Sequence, residues 1–497
     1  MKNEMKTGCS GTVYLVGAGP GDEGLITVRG RKLIEEADVI IYDHLANPVL
    51  LEYAKKECEK IYAGKENRHH TMRQEEINSL LVQKAKQCKT VVRLKGGDVY
   101  VFGRGGEEGI YLNEQGIPFE VVPGVSSAIA GPAYAGIPIT HRGISRGFQV
   151  ITAHNQNGQP ADIDFAALAK SQDTCVFLMG LTKLGELAAG LIQAGKSPSC
   201  PAAVISNATL WNQRTCTGTL ETIEHQVRES SLMPPALIVV GDVVNLRPAL
   251  NFFERMPYFG KRYLVTKVGE EISFLTNVLR EQGAYVTEVQ TGEIKFFSDA
   301  VKPELLSWAD WIVLTSRHGV EAFFASAKAQ KIDVRTLSNK KFAVVGRKTA
   351  ETLEEHDIYA DLIPMSFDSE SLRKGLEGAV KPEEHILYGI PKGGRNKEIS
   401  ILREQYSVQE LCLYENRECC LQKKLQEYDG AFFTCASSVT RLLGKLKEEE
   451  LEPFRTGRTE AISIGKHTTW ELERFGVLKI RQALSSTYEE LLMAISP

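Results

Sequence analysis

Val13-Tyr14-Leu15-Val16 runs directly into Gly17-Ala18-Gly19-Pro20-Gly21-Asp22. An apolar run followed by glycines reads as a strand feeding a tight turn, where missing side chains let backbone N–H groups approach a ligand closely. The dinucleotide fingerprint needs a third glycine where this chain has Asp22, and Pro20 occupies the tight turn. The motif therefore argues against NAD or FAD and leaves a plain structural turn as the bland alternative. Further on, the amphipathic stretch Arg29 to Glu36 and the apolar run ending at Tyr42 continue a strand–helix–strand rhythm. Repeated along the chain, that rhythm marks an α/β fold on a mostly parallel sheet, with function expected at strand ends.

Two further turns of the same character follow. Arg93-Leu94-Lys95-Gly96-Gly97-Asp98, with Phe102-Gly103-Arg104-Gly105-Gly106-Glu107-Glu108 behind it, comes after the strand Thr90 to Leu94. Val121-Val122-Pro123-Gly124-Val125-Ser126-Ser127-Ala128 follows another strand and opens a helix of small residues. Glycine at this density costs conformational entropy and is hard to explain as packing. Three such strand-to-loop junctions can converge on one ligand at the carboxyl edge of a sheet.

Composition bounds the rest. A chain of 497 residues is too long for one core and suggests two to four domains. A formal charge of −4 indicates no chain-wide field for nucleic acid, and the apolar runs are short enough for buried strands, with no membrane span. Met1 to Ser10 carries lysines without an apolar segment behind them, which reads as a short frayed tail on a cytoplasmic protein. The ten cysteines include no C-x-x-C pair and the ten histidines no ligand spacing, so reduced thiols and no metal site are expected. A change of character near Arg247 to Lys261, rich in proline and glycine, sets a first domain at 11–247, a linker at 248–260 and a second domain at 261–497.

The second domain repeats itself. Asp310 and Asp429, Thr315 and Thr434, Val320 and Val439, Gly346 and Gly465, Thr349 and Thr468, Leu353 and Leu472 all share one offset, 434 − 315 = 119. A constant offset over that span means two copies of one strand–turn–helix unit, hence a two-lobed protein with a cleft.

The first domain resembles the tetrapyrrole methylases, and within them the uroporphyrinogen-III C-methyltransferases. The resemblance is carried by Val16 to Asp22, Tyr42-Asp43-His44-Leu45, Ala63-Gly64-Lys65, Arg93 to Glu108, Pro123 to Ala128, Ala133 to Arg142, Phe177 to Gly180 and Pro235 to Val240. It implies two α/β lobes with S-adenosylmethionine folded between them, and a homodimer formed through this domain. Pro20, Gly96, Gly97, Asp98, Val101, Ser126, Ser127, Met179, Ala208 and Ala236 are the implied contacts of that methyl donor. Asp98 would take its ribose hydroxyls or amino group. By themselves Asp43 reads as a helix N-cap and Lys65 as a solvated lysine. The family pattern instead implies Asp43 as proton acceptor and Lys65 as proton donor. A polycarboxylate substrate needs fixed positive charge, for which Arg104, His141, Arg142 and Arg146 are candidates, Arg142 first. Some of them could instead bridge to Glu107 or Glu108.

The second domain resembles uroporphyrinogen-III synthase through Thr315 to Val320, Val345 to Ala350, Leu411 to Tyr414, Phe433 to Val439 and Ile464 to Thr469. Hydroxyl residues after its strands read as helix caps or as anion sites. The resemblance implies Ser316, Ser437 and Thr468 as substrate contacts and Tyr414 as acid. It also implies a sequence of reactions: hydroxymethylbilane closes to uroporphyrinogen III with the last ring inverted, and two methyl transfers then give precorrin-2, on the sirohaem and cobalamin branch. The alternative is a methylase of another corrinoid precursor with a non-catalytic, porphyrinogen-binding second half.

Overall fold

The computed structural model describes residues 11–64, 72–87, 89–153, 162–269, 272–366, 368–394, 397–419, 425 and 427–495. The expected frayed tail at 1–10 and Lys65 lie outside the described residues. No helix of the described residues is long and apolar enough to cross a membrane. The chain divides into two compact units, Met1–Lys261 with Glu281–Tyr285, and Arg262–Arg280 with Val286–Pro497.

The first unit carries two sheets. Strands β1 (Val13–Gly17), β2 (Val39–Tyr42), β3 (Glu59–Tyr62), β4 (Val91–Lys95) and β5 (Phe119–Val122) form an all-parallel sheet in the order β3-β2-β4-β1-β5. Both faces are covered, which is why Val39, Ile40 and Ile41 are all fully buried and the strand reads as an unbroken apolar run. Because the strands are parallel, the turns after β1, β2, β4 and β5 emerge along one carboxyl edge.

Strands β6 (Phe148–Thr152), β7 (Thr174–Leu178), β8 (Pro201–Ser206), β9 (Arg214–Thr219) and β10 (Ala236–Val240) form the second sheet, order β6-β7-β10-β8-β9. It is mixed: β6 is parallel to β7, while β10 runs antiparallel to both β7 and β8. The helix Ser127–Tyr134 leaves the first sheet and packs on the second. Gly131 makes this approach possible, since a Cβ there would lie 2.5 Å from Leu237 Cδ2 and 3.1 Å from the Ala208 methyl.

The segment 248–260, expected as a linker, is instead folded onto this unit. Phe253 is buried with its ring 4.7 Å from that of Tyr134 and 5.2 Å from that of Phe259. Glu254 accepts hydrogen bonds from Arg247, Gln213 and Thr215. Aromatic burial and a three-donor carboxylate hold what proline and glycine alone suggested was slack.

The second unit is built on one nine-stranded sheet rather than two separate ones. Its strands are β11 (Arg262–Val268), β12 (Tyr285–Phe296), β13 (Trp311–Leu314), β14 (Lys341–Val344), β15 (His385–Pro391), β16 (Ser407–Glu418), β17 (Gly430–Phe433), β18 (Glu460–Ser463) and β19 (Ile480–Gln482), ordered β14-β13-β15-β16-β12-β11-β17-β18-β19. The 119-residue repeat has a physical expression here. Asp310 Oδ2 accepts from His385 N at the start of β15, and Asp429 Oδ2 accepts from Arg262 N at the start of β11, each at 2.8 Å. In both copies the strand after the aspartate lies between two parallel neighbours, β14 and β15 around β13, β18 and β11 around β17. The long strands β12 and β16 join the copies by antiparallel pairing.

Candidate functional site

The glycine turns of the first unit meet as one backbone construction. Gly19 N donates to Gly97 O at 3.1 Å and Gly97 N donates to Gly19 O at 2.7 Å, a two-way bridge between the turns after β1 and β4. Both residues hold positive φ, +78° and +67°, the region in which glycine carries no steric penalty. The turn after β5 packs against the same bridge: a Cβ on Gly124 would sit 2.3 Å from Gly97 O and 2.7 Å from Gly17 Cα. Pro20, Gly96, Gly97, Ser126 and Ser127 are thereby brought to one place at the sheet's carboxyl edge.

Asp98 organises these turns. Its Oδ1 accepts from Tyr100 N at 2.8 Å and Val101 N at 3.0 Å, and its Oδ2 accepts from Gly124 N at 3.0 Å. The carboxylate expected to face a ligand thus first fixes its own loop, with lone pairs to spare. Ser126 is the N-cap of Ser127–Tyr134, its hydroxyl accepting from Ala128 N, so the backbone of Ser127 opens a helix at the pocket. Val101 is 40% exposed beside it.

The remaining candidates lie on the second sheet. Met179 follows β7, Ala208 follows β8 and Ala236 begins β10; because β10 runs antiparallel, all three lie at one end of that sheet, with Asn207 N donating to Pro235 O. Met179 is 53% exposed and takes φ +56°. Phe102, Arg104, Asn207 and Thr209 also take positive φ at these turns, a conformation that costs non-glycine residues of order 1–3 kcal/mol each.

Thr209 and Tyr134 were not singled out by sequence reasoning, yet they tie turns of the two sheets together. Asp22 N donates to Thr209 Oγ1 at 3.0 Å, and Tyr134 OH donates to Asp22 Oδ2 at 2.7 Å. Burial and the Asp22 carboxylate push the Tyr134 phenol far above its ordinary pKa, so it stays a donor. The residue that spoils a dinucleotide fingerprint is therefore a structural clasp.

Asp43 follows β2, next to β4, and stands at the head of a buried charge cluster. Its Oδ1 accepts from Leu45 N at 3.1 Å and its Oδ2 from Arg93 Nη2 at 3.3 Å. Arg93 Nε and Lys95 Nζ donate to Glu108 Oε1 at 3.2 and 2.8 Å. Arg104 takes the bridging alternative: Nε and Nη2 reach Glu107 at 2.9 and 2.6 Å, on the exposed surface. Arg142 is exposed in a tight turn closed by His141 N donating to Ser145 O.

In the second unit, Ser316 caps helix Arg317–Ala329 by accepting from Gly319 N at 3.0 Å, and its Oγ lies 3.1 Å from the Tyr414 hydroxyl. His318 packs its ring against Tyr414 at 6.2 Å, and burial, with Arg317 adjacent, lowers the imidazole's pKa. Ser437 sits in the first turn of helix Ala436–Leu443, its Oγ 3.2 Å from Cys435 Sγ. Thr468 is more enclosed than Ser316 and Ser437. The residue is 2% exposed, because on helix Lys466–Arg474 it shares the inward face with Leu472 one turn on. Thr349 repeats this at 5% exposed.

Known proteins reproduce this two-part plan. Residues 12–224 match the family model of the tetrapyrrole (corrin/porphyrin) methylases, and residues 273–493 match that of uroporphyrinogen-III synthase HemD. The porphyrin biosynthesis protein HemD of Ruminiclostridium josui is 37% identical over 97% of this chain and 98% of its own length. Uroporphyrinogen-III C-methyltransferase of Bacillus subtilis is 46% identical over 67% of this chain and 69% of its own. A solved structure, the uroporphyrin-III C-methyl transferase of Thermus thermophilus complexed with S-adenyl homocysteine, is 39% identical, covers 48% of this chain and 100% of that one, and has a TM-score of 0.41. With nearly its whole length matched by one relative and each half by its own family model, the chain belongs to the fused HemD family, a tetrapyrrole methyltransferase joined to a uroporphyrinogen-III synthase.

Proposed function

We propose that the second unit closes hydroxymethylbilane to uroporphyrinogen III with inversion of the last ring, and that the first unit transfers two methyl groups from S-adenosylmethionine to that product, giving precorrin-2. The observation that carries the methylating half is the bridge between Gly19 and Gly97 packed on Gly124: a cradle that a Cβ would fill. The residues suit a bent sulfonium nucleoside. Backbone N–H groups at the start of Ser127–Tyr134 and the spare lone pairs of Asp98 would face it from the first lobe, and the exposed Met179 from the second.

The bound nucleoside supplies an electrophilic methyl group. What the chain supplies is position and exclusion of water, which can provide most of the rate of an in-line displacement. Attack by a pyrrole carbon leaves positive charge on the ring and a proton to be lost. Asp43, whose side chain is 26% exposed, accepts it, and Lys65 is the donor on the same reading. Arg142 offers a carboxylate-binding fork in an exposed turn. In the second unit Tyr414, held by Ser316, is the acid.

Incubating the full chain with hydroxymethylbilane and methyl-labelled S-adenosylmethionine tests both halves together. The expected product is a doubly labelled, isomer-III tetrapyrrole. Unlabelled isomer III alone would refute the methylating half, and the symmetric isomer alone would reduce the second unit to a binding lobe.

A further inference from the structure

Three ionisable side chains lie behind Asp43 almost without solvent: Arg93 is 4%, Lys95 5% and Glu108 0% exposed. Removing such groups from water costs several kcal/mol each, and well-packed apolar residues would stabilise the sheet at least as well. Strand β4 is otherwise apolar, so sheet formation does not call for Arg93 or Lys95. The two are placed on one face by the two-residue strand period and converge on one oxygen, Glu108 Oε1, which also accepts from Gln74 Nε2 at 3.1 Å. The other oxygen, Oε2, is buried with no hydrogen-bond partner among the described residues. Oε1 thus takes three donors, two of them cationic, so what Glu108 supplies to this cluster is negative charge.

Arg93 carries that charge outward. Nε holds Glu108, Nη1 donates to the carbonyls of Leu94 and Ile41 at 3.2 and 3.4 Å, and Nη2 reaches Asp43. The guanidinium is fixed at every nitrogen, so its plane sets where the Asp43 carboxylate stands. We propose that Glu108 is a positioning residue for methyl transfer: acting through Arg93, it fixes the Asp43 carboxylate and balances the two buried cations that would otherwise hold Asp43 as too weak a proton acceptor. This rests on the reading of Asp43 as the acceptor. Among the described residues, the titratable groups facing Asp43 are Arg93 and Lys95 from β4 and Glu108 from helix Gly105–Glu114, with Tyr42 and His44 beside it in sequence and Tyr62 packed edge-on to Tyr42. Consistently, burial and the neighbouring Arg93 charge lower the Lys95 ammonium's pKa despite Glu108, a sign of crowded positive charge.

The test uses the full chain and compares Glu108→Gln, Asp43→Asn and the double variant. Glu108→Gln is expected to bind S-adenosylhomocysteine within about two-fold of the parent, since it touches no part of the nucleoside cradle. Its kcat for methylation is expected to fall about ten-fold, with the acid limb of the pH profile moved to lower pH by roughly one unit. In the double variant Glu108→Gln should add no further loss to that of Asp43→Asn. Multiplying losses, or an acid limb that stays in place, would overturn the proposal while leaving Asp43 as acceptor. An Asp43→Asn variant of undiminished rate would overturn the reading of Asp43 itself, and the proposal with it. Should Glu108→Gln fold poorly, Arg93→Lys keeps the charge and shortens the bridge: kcat falls with the acid limb unmoved, and an unchanged kcat would contradict the proposal.

Discussion

The two units place chemistry at strand ends in different ways. The first builds with backbone: glycines in contact, positive φ at Met179, Asn207 and Thr209, a carboxylate spent on three N–H groups, and charges buried beneath. The second places hydroxyls at helix starts, Ser316 as a cap and Ser437 in a first turn, and the 119-residue repeat sets Cys435 in the place of Ser316 and His318 in the place of Ser437. A pocket made of close backbone contacts tolerates few residues at each point. A pocket made of caps tolerates several, since serine, threonine, aspartate and asparagine all satisfy an orphan N–H. The first unit should therefore be brittle and the second forgiving.

The sharpest break of that contrast is Gly124→Ala. Its methyl has no room against Gly97 O, and the clash, worth ~3 kcal/mol or more, should abolish S-adenosylhomocysteine binding in calorimetry while isomer-III formation continues. Near-parental affinity would mean the turns are not the close-packed cradle described. Next in size, Tyr414→Phe should slow ring closure about ten-fold without affecting methylation, because Ser316 keeps its cap to Gly319 N. A loss of a thousand-fold would make the second unit as exacting as the first. Tyr134→Phe removes the clasp to Asp22 and should cost the first unit about 1.5–3 kcal/mol in thermal or urea unfolding, the worth of a hydrogen bond to a charged group.

The smallest effect is one of pH on the second unit. Lys341, with Lys381 N and Trp311 Nε1, draws the Glu384 carboxyl from 4.5 down to about 2. A folded-state value below the unfolded one contributes stability that is fully present above about pH 4.5 and is lost as pH falls toward about 2. Glu384→Gln should flatten that part of the stability curve, measured by tryptophan fluorescence, since Trp311 donates to this carboxylate. A curve unchanged by the substitution would remove Glu384 from the account.

What could be read from the sequence follows the same division. Gly17, Gly19, Gly97 and Gly124 stood out because close backbone approach permits little else, and the alternation of strands and helices fixed the α/β class. The clasp was hidden because Tyr134 and Thr209 lie 112 and 187 positions from Asp22. Glu108 was visible only as an alternative partner for Arg104, since sequence shows neighbours along a helix but not which one turns inward; the structure gives Arg104 to Glu107 and sends Glu108 to Arg93 and Lys95. The burial of Thr468 was hidden for the same reason, since only the helix register puts it beside Leu472. The stretch 248–260 looked like a linker because proline and glycine punctuate it, while the burial of Phe253 depends on Tyr134, a residue far back in the chain.

The central claim is that the turns bearing Pro20, Gly97 and Ser127 form one cradle for a bent nucleoside. A crystal structure of the full chain with S-adenosylhomocysteine tests it most directly. The nucleoside is expected against Gly97 and the Ser127 helix start, with Met179 on its other side. Density for it elsewhere on the chain, or none at saturating concentration, would contradict the claim.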